Sequence, residues 1–446
     1  MPNRVAVIGA GIAGLSAAYQ LRDEAELVIY ERNDYVGGHA NTVEVIEDGT
    51  TIGLDTAFIV FNRPSYPGLS AFFDELGVPV LAHEGGFNMF DLDTGVEFGT
   101  LEFDLPEHEI VERYPESFLG IWRDAQRFHA EAPRHFLRKQ AEFGLGAYLD
   151  LHGYSEAFKR GFVVQLATAV WSIPPELIWQ MPASTFIAFF MAHDAEGLGG
   201  RSVAWHTVQG GSVTYVRKAL AAIGAELRLD DPVVAVEDLG HWVEVRTLSG
   251  SSERYDSVVL STHADQALSI LGNPTPAQQA IEAVRYNTSS CLLHTDEAVL
   301  SKDRARWRSW NFGTVTTDGQ SRAWPVYHLN QLQDLNARQD YFVTLDCPIE
   351  VAPDKVIKRI TYSHPIITCE VRDLQSSIYR AHSGSRVLLA GSYFHSKSLG
   401  PDQIGSHEAA FSSGVEAARA VRAVLADPQF SRRDHAHSKS TQEEAL

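Results

Sequence analysis

Near its start the chain reads VAVIGAGIAGLSAAYQL and then LVIYER, a pattern that fixes local geometry more tightly than anything else in it. An apolar strand, Val5 to Ile8, enters Gly9, Gly11 and Gly14 and opens a helix; a second strand, Leu27 to Tyr30, ends on Glu31, seventeen residues after Gly14. Gly9 permits the tight turn, Gly11 lets backbone approach a pyrophosphate, and Gly14 lets the helix pack on the strand. The pyrophosphate would sit on the helix N-terminus, where unpaired N–H groups and the positive end of the dipole point at it. Glu31 would accept from a ribose hydroxyl, and its charge disfavours a 2′-phosphate. Strand, helix and spaced acid together predict a nucleotide site. Gly37-Gly38 after the second strand, followed by His39 and Thr42, and then Asp55-Thr56-Ala57, suggest that the chain continues along the ligand past the pyrophosphate.

With 446 residues the chain can build two or three cores. A net charge of −20 opposes nucleic acid or an anionic membrane surface as a partner. No apolar run reaches the roughly eighteen residues of a membrane span, and the first strand begins at Val5, so no integral membrane segment and no signal peptide are expected and a cytoplasmic location is the default. Cys291, Cys347 and Cys369 lie too far apart for a Cys-x-x-Cys motif, and the 18 histidines show no ligand spacing, so no metal is expected.

Residues 43–61 alternate like a hairpin with Asp48-Gly49 as its turn. From about Leu69 to Gly200 the three- and four-residue apolar spacing predicts a helical block, cut by Pro174, Pro175 and Pro182. Residues 203–272 return to α/β character; about 274–385 read as an aromatic antiparallel sheet; SRVLLAGSYF and HEAAFSSGVEAARAVRAVL read as a buried strand and an alanine-rich helix. From Asp427 onward the polar stretch lacks an apolar period and reads as a disordered tail, 427–446. The expected fold is α/β and interleaved: a cofactor domain from 1–68, 203–272 and 385–426, and an α+β substrate domain from 69–202 and 273–384.

The motifs VAVIGAGIAGLSAA, ER-x4-GGH, DPVVAVE, STHAD, LLAGS and HEAAFSSGVEAA resemble the flavin-containing amine oxidoreductase superfamily, which includes monoamine oxidases, phytoene desaturases and protoporphyrinogen oxidases. DTAFIVFN, AVWSIP, WHTVQGGSVTYV, WRSWNF and ITYSHPI resemble a branch of bacterial predicted NAD/FAD-binding proteins. The resemblance implies a Rossmann-like FAD-binding domain of the two-dinucleotide-binding type and an elongated FAD. Carried over, it places Gly9, Gly11, Ala13 and Gly14 at the pyrophosphate, Glu31 and Arg32 near the adenosine ribose, and Val233 at the adenine. Gly38, His39 and Thr56 fall near the ribityl chain, with Gly391, Ser392 and Ala410 at the isoalloxazine end. Two departures stand out: much of the superfamily has Arg at the position of His39, and Ala409-Ala410 replace the branch's Asp-Gly, after a lengthened loop from His395 to Ile404.

No lysine precedes Lys302 in the sheet segment where amine oxidases of the superfamily place one, which disfavours simple amine oxidation. His407 and Tyr327 are the expected catalytic residues, and Tyr66, Phe189, Trp310, Asn311 and His328 the expected substrate contacts. With Phe186, Phe190, Trp205 and Trp324 also available, the chamber is expected to be apolar and to admit a hydrophobic small molecule. The expectation is an FAD-dependent oxidoreductase that moves hydride from an unsaturated acyl chain or specialised metabolite to flavin N5, with oxygen or another acceptor reoxidising the cofactor. A flavin-dependent isomerase or desaturase, and a non-redox lipid carrier of the GDI-like type, are the alternatives, and a homodimer is left open.

Overall fold

The runs Val5–Ile8, Leu27–Tyr30, Ser257–Leu260 and Val387–Leu389 are buried along their whole length, as strands covered on both faces must be. In the computed structural model, which describes residues 2–83, 85–103, 105–174, 176–193, 204–317 and 319–427, they join Glu226–Arg228 in a five-stranded parallel sheet. Its spatial order is Glu226–Arg228, Ala25–Tyr30, Asn3–Ile8, Ser257–Leu260, Val387–Leu389. The first helix, Ile12–Leu21, and the last, His407–Ala426, lie together so closely that a Cβ on Gly414 would stand 2.0 Å from the Ala13 carbonyl oxygen. Ser16 Oγ bonds the Ala13 and Phe411 carbonyls across that contact.

A seven-stranded sheet forms the second large layer, in the order Val356–Pro365, Tyr286–His294, Phe342–Leu345, Gln320–His328, Trp310–Thr317, Phe87–Asp91, Glu97–Gly99. Every pairing in it is antiparallel except Phe87–Asp91 with Trp310–Thr317. Three smaller sheets occur among the described residues: the hairpin Thr42–Glu47 with Thr50–Asp55, the meander Val233–Asp238, Val243–Thr247, Ser252–Tyr255, and Phe61–Asn62 with Trp205–Val208 and Val80–His83.

One expectation about the fold is corrected. The stretch from Leu69 is not helical throughout, because Val80–His83, Phe87–Asp91 and Glu97–Gly99 are strands. Each is three to five residues long, too short for a period to announce it; Val80–His83 and Phe87–Asp91 pair with residues far away in the chain, and Glu97–Gly99 is the edge strand paired back on Phe87–Asp91. From Glu107 to His193 the helices appear, among them Glu116–Leu137, Val164–Trp171 and Ala183–His193. The last helix is capped by Ser406, whose hydroxyl accepts from Ala409 N at 3.0 Å. Pro175, and the tail beyond Asp427, lie outside the described residues.

Candidate functional site

Between the carboxyl ends of the parallel strands and one face of the seven-stranded sheet runs a cavity of about 670 Å³. The three glycines at its head differ in what holds them. Gly9 has φ +103°, and a Cβ there would stand 2.6 Å from the Ser261 carbonyl oxygen. A Cβ on Gly14 would stand 2.0 Å from the Gly9 carbonyl oxygen. Both are glycine because the protein itself leaves no room. Gly11, at φ −76° and ψ 178°, has backbone angles any residue adopts, and nothing lies within 4 Å of its missing Cβ. Its lack of a side chain keeps open a space that the cavity includes. Gly11 also begins the first helix without a side-chain cap, so the first-turn N–H groups have no partner of that kind. Opposite, Gly38 has only the Gly11 Cα, at 3.3 Å, near its own missing Cβ.

Glu31 ends the second strand, buried, with Oε2 accepting from Ala10 N at 2.9 Å and Oε1 from Asn33 N and Nδ2 at 3.1 and 2.8 Å. A carboxylate has about four lone-pair sites, so one remains for a ligand hydroxyl. Arg32, Val233, Thr56, Gly391, Ser392 and Ala410 all line the cavity, as do Gly9, Ala13 and His39. Gly14 does not; it packs helix on strand. Thr56 Oγ1 donates to the Asn41 carbonyl at 2.8 Å and meets the Tyr362 hydroxyl at 2.6 Å, which fixes both hydroxyls on the wall.

At the far end the wall is made of Val60, Val170, Trp310, Tyr327, Val343 and Leu345. The Tyr327 hydroxyl donates to the Ala169 carbonyl at 2.8 Å. Tyr66 lines the cavity with no hydrogen bond from its hydroxyl among the described residues, and burial first, with the Glu408 charge second, pushes its phenol up to about 12. His407, the first residue of the last helix, stacks on Phe58 at 3.9 Å and 8°, and its Nε2 meets the Tyr215 hydroxyl at 2.7 Å. Burial pushes its imidazole down to about 3, so the ring is neutral at ordinary pH. Beside it Glu408 accepts from Gly68 N and Leu69 N at 3.1 and 2.9 Å, tying the last helix to Pro67–Glu75; burial pushes this carboxyl up to about 7.

Three expected substrate contacts are not on the cavity wall. Asn311 is buried, its side chain accepting from Arg308 N at 2.9 Å and donating to the Arg308 carbonyl at 2.6 Å. His328 is buried with Nε2 on Asp340 at 2.9 Å. Phe189 packs on Trp171 at 5.0 Å in the helical core. The cause for the first two is strand alternation: Trp310 and Tyr327 are cross-strand partners facing the cavity, so Asn311 and His328, each one residue on, face away. Phe186, Phe190 and Trp324 are likewise core residues.

The reading of the sequence missed His263, His364, Tyr286 and Tyr362, all of which line the cavity. STHAD and ITYSHPI contain three of them, and alternation from Tyr362 to His364 puts both on one face.

Residues 12–344 match the family model described as flavin containing amine oxidoreductase. A Mycobacterium tuberculosis protein assigned as a flavin-containing monoamine oxidase is 24% identical over 267 residues, 56% of this chain and 54% of that protein, so the chain spans about half the length of this curated relative. Among solved structures, cyclohexylamine oxidase from Brevibacterium oxydans superposes with a TM-score of 0.65 at 14% identity, covering 95% of this chain and 100% of that one. Putrescine oxidase bound to putrescine gives 0.63 at 14%, covering 95% and 99%. At such identities the likeness carries the fold. Among the described residues no helix is long and apolar enough to cross a membrane.

Proposed function

This chain belongs to the flavin containing amine oxidoreductase family and its cofactor is FAD, and from that premise we propose that it oxidises an uncharged, apolar small molecule. The placement of the cofactor is supported most by Gly11, a glycine that neither its backbone angles nor its packing require, and the substrate class by the uncharged wall at the Trp310 end. Such a glycine keeps room for a ligand at a helix N-terminus. In this reading Gly9, Gly11, Ala13 and Gly38 bound the diphosphate, Glu31 uses its remaining lone pair on the ribose, and Val233 and Arg32 border the adenosine end. Gly391, Ser392, Ala410 and the start of the last helix border the ring end, and that helix's positive pole favours negative charge there by about 0.5–1 kcal/mol.

When bound, FAD supplies the redox chemistry, accepting a hydride from the substrate and passing the electrons to oxygen or another acceptor. The protein supplies shape and a dry wall. Among the described residues, Glu31 and Arg32, both on the adenosine side, are the only carboxylate and the only Lys or Arg side chain on the cavity wall. An alkylammonium at the Trp310 end would therefore be buried without a counter-ion, which is costly. An unsaturated acyl chain or another neutral metabolite meets no such penalty. His407, its Nε2 engaged by Tyr215, keeps its second ring nitrogen for a substrate or cofactor hydrogen bond, and Tyr327, tied to Ala169, fixes the opposite wall. Tyr66 offers an unspent hydroxyl.

The test is the visible spectrum of the purified protein followed by anaerobic mixing with acyl, polyene and amine compounds. Oxidised-flavin bands bleached by a neutral apolar class support the reading. Bleaching by alkylamines alone, or a colourless protein, overturns it.

A further inference from the structure

Four imidazoles line this one cavity: His39, His263, His364 and His407. His407 has a partner in Tyr215. The other three are held by rings, not by polar partners. His39 lies 4.9 Å from Tyr362 and 5.0 Å from His364, centroid to centroid, and His263 stacks on Tyr286 at 4.4 Å and 11°. Buried Nε2 of His39 and Nδ1 of His364 have no hydrogen-bond partner among the described residues. Unpaired buried nitrogens are rare, because each forfeits its bonds to water. Among the described residues no group of three His, Cys, Asp or Glu side chains could hold a metal ion, so the trio needs another explanation.

Position supplies one. His39 follows Gly38, which faces Gly11 at the opening of the first helix. There the proposed function puts a diphosphate, a dianion, yet the only Lys or Arg side chain lining the cavity among the described residues, Arg32, belongs to an exposed residue. We propose that His39, His263 and His364 form a proton-linked anion cradle: one imidazole of the trio takes up a proton as the diphosphate of FAD enters, so the protein holds its cofactor more tightly as the medium is acidified.

The charges facing the trio agree with a proton entering only with the anion. Burial, and then repulsion among His364, His263 and His407, holds His39 well below the usual imidazole range without a ligand. Burial pushes His364 down to about 4 against a weaker opposing pull from Asp346. Burial lowers His263, with Asp265 opposing and Arg32 reinforcing the shift. Glu31 is engaged with Ala10 and Asn33. An entering dianion adds negative charge beside all three rings and raises whichever is nearest. A group whose affinity for protons rises on binding makes binding stronger as pH falls through its value in the bound state, and the effect ends below its value in the free state.

The inference rests on the diphosphate placement proposed above, and the experiment separates the two. Equilibrium dialysis of the full-length holoprotein would give the Kd for FAD from pH 5.5 to 8.5, for wild type, His39→Arg, His364→Gln and Gly11→Val. One linked proton weakens binding by up to about tenfold per pH unit above the bound-state value. His39→Arg, with a permanent charge, should flatten the profile, and His364→Gln should reduce its slope. Gly11→Val should lose FAD at every pH, since its side chain fills open space the protein does not use. If Gly11→Val keeps FAD, the placement fails; if it loses FAD while the wild-type profile is flat, the cradle alone fails. Nitrogen-15 spectra of histidine-labelled holoprotein give a readout that does not need release: a cationic-ring signal that is lost in His39→Gln or His364→Gln supports the cradle, and three neutral rings from pH 5.5 to 8 overturn it.

Discussion

The two walls of the cavity are built on different principles. On the side of the parallel sheet the ligand would meet backbone: glycines, first-turn N–H groups and strand ends, with Glu31 as the one committed side chain. On the side of the seven-stranded sheet it would meet side chains, Trp310, Tyr327, Val343, Leu345 and Tyr362, drawn from strands that lie far apart in the chain. A backbone wall tolerates almost no change, because a single Cβ collides with main chain, as at Gly9, or takes the ligand's own space, as at Gly11. A side-chain wall can be reshaped residue by residue while the fold stays, so one wall is suited to an invariant ligand and the other to a chosen one.

The sharpest way to break this contrast lies among the glycines. Gly14→Ala forces a carbon to within 2.0 Å of the Gly9 carbonyl oxygen, where no flexible side chain can yield. It should cost more than about 3 kcal/mol and leave little folded protein, measured by thermal unfolding. Gly11→Ala should leave the melting behaviour of the flavin-free protein within about 0.5 kcal/mol of wild type while lowering flavin content. Equal losses of stability in the two variants would erase the distinction between a packing glycine and a ligand glycine.

These glycines were legible in the sequence, as were both flanking strands, the hairpin at Asp48-Gly49 and the last helix, because each is decided by neighbours within a few residues. Asn311 and His328 were misplaced for a reason that is also local: adjacent strand residues point to opposite faces, so a strand that sends Trp310 inward cannot send Asn311 the same way. What no local pattern holds is partnership at a distance. Phe87–Asp91 becomes a strand by pairing parallel to Trp310–Thr317, more than two hundred residues on, and the meeting of His39 with His364 depends on the closure of the whole cavity.

Next in size is an effect at the seam of the two walls, where Glu408 reaches from the last helix to Gly68 N and Leu69 N. Burial raises this carboxyl to about 7, so the folded state favours its protonated form. Its contribution to stability is full below the ordinary carboxyl range near 4.5 and is lost as pH rises through about 7, with a ceiling of about 3 kcal/mol. Glu408→Gln stays neutral at every pH but leaves one of the two N–H groups without an acceptor, so its stability relative to wild type should rise from pH 4.5 to pH 8 in urea melts. A wild-type curve parallel to that of the variant would remove the seam's titration. On the substrate wall, Trp310→Ala should retain full flavin while raising KM for an apolar substrate by about tenfold or more, the worth of a buried aromatic side chain. Loss of flavin in that variant would mean the walls are not separable.

The smallest expected effect concerns His407, which sits where the walls meet. Its ring lies flat on Phe58, and the ring's one hydrogen bond among the described residues is the 2.7 Å contact between Nε2 and the Tyr215 hydroxyl. Burial strongly disfavours ionisation of both groups, so the bond joins two neutral partners. The phenol is the better donor, which assigns Nε2 as acceptor and places the ring's hydrogen on Nδ1. Tyr215→Phe removes the donor and leaves a buried acceptor, at a cost of about 1 kcal/mol or somewhat more. His407→Phe keeps the stacking and removes the acceptor, leaving the Tyr215 hydroxyl unpaired. If the bond is the only link between the two residues, the double variant should cost less than the sum of the singles by about 1 kcal/mol, measured by denaturant unfolding of the flavin-free protein. Strict additivity would mean that Tyr215 does not orient His407, and the polar group assigned to the ring end of the cavity would then lack the rigidity that orienting a substrate demands.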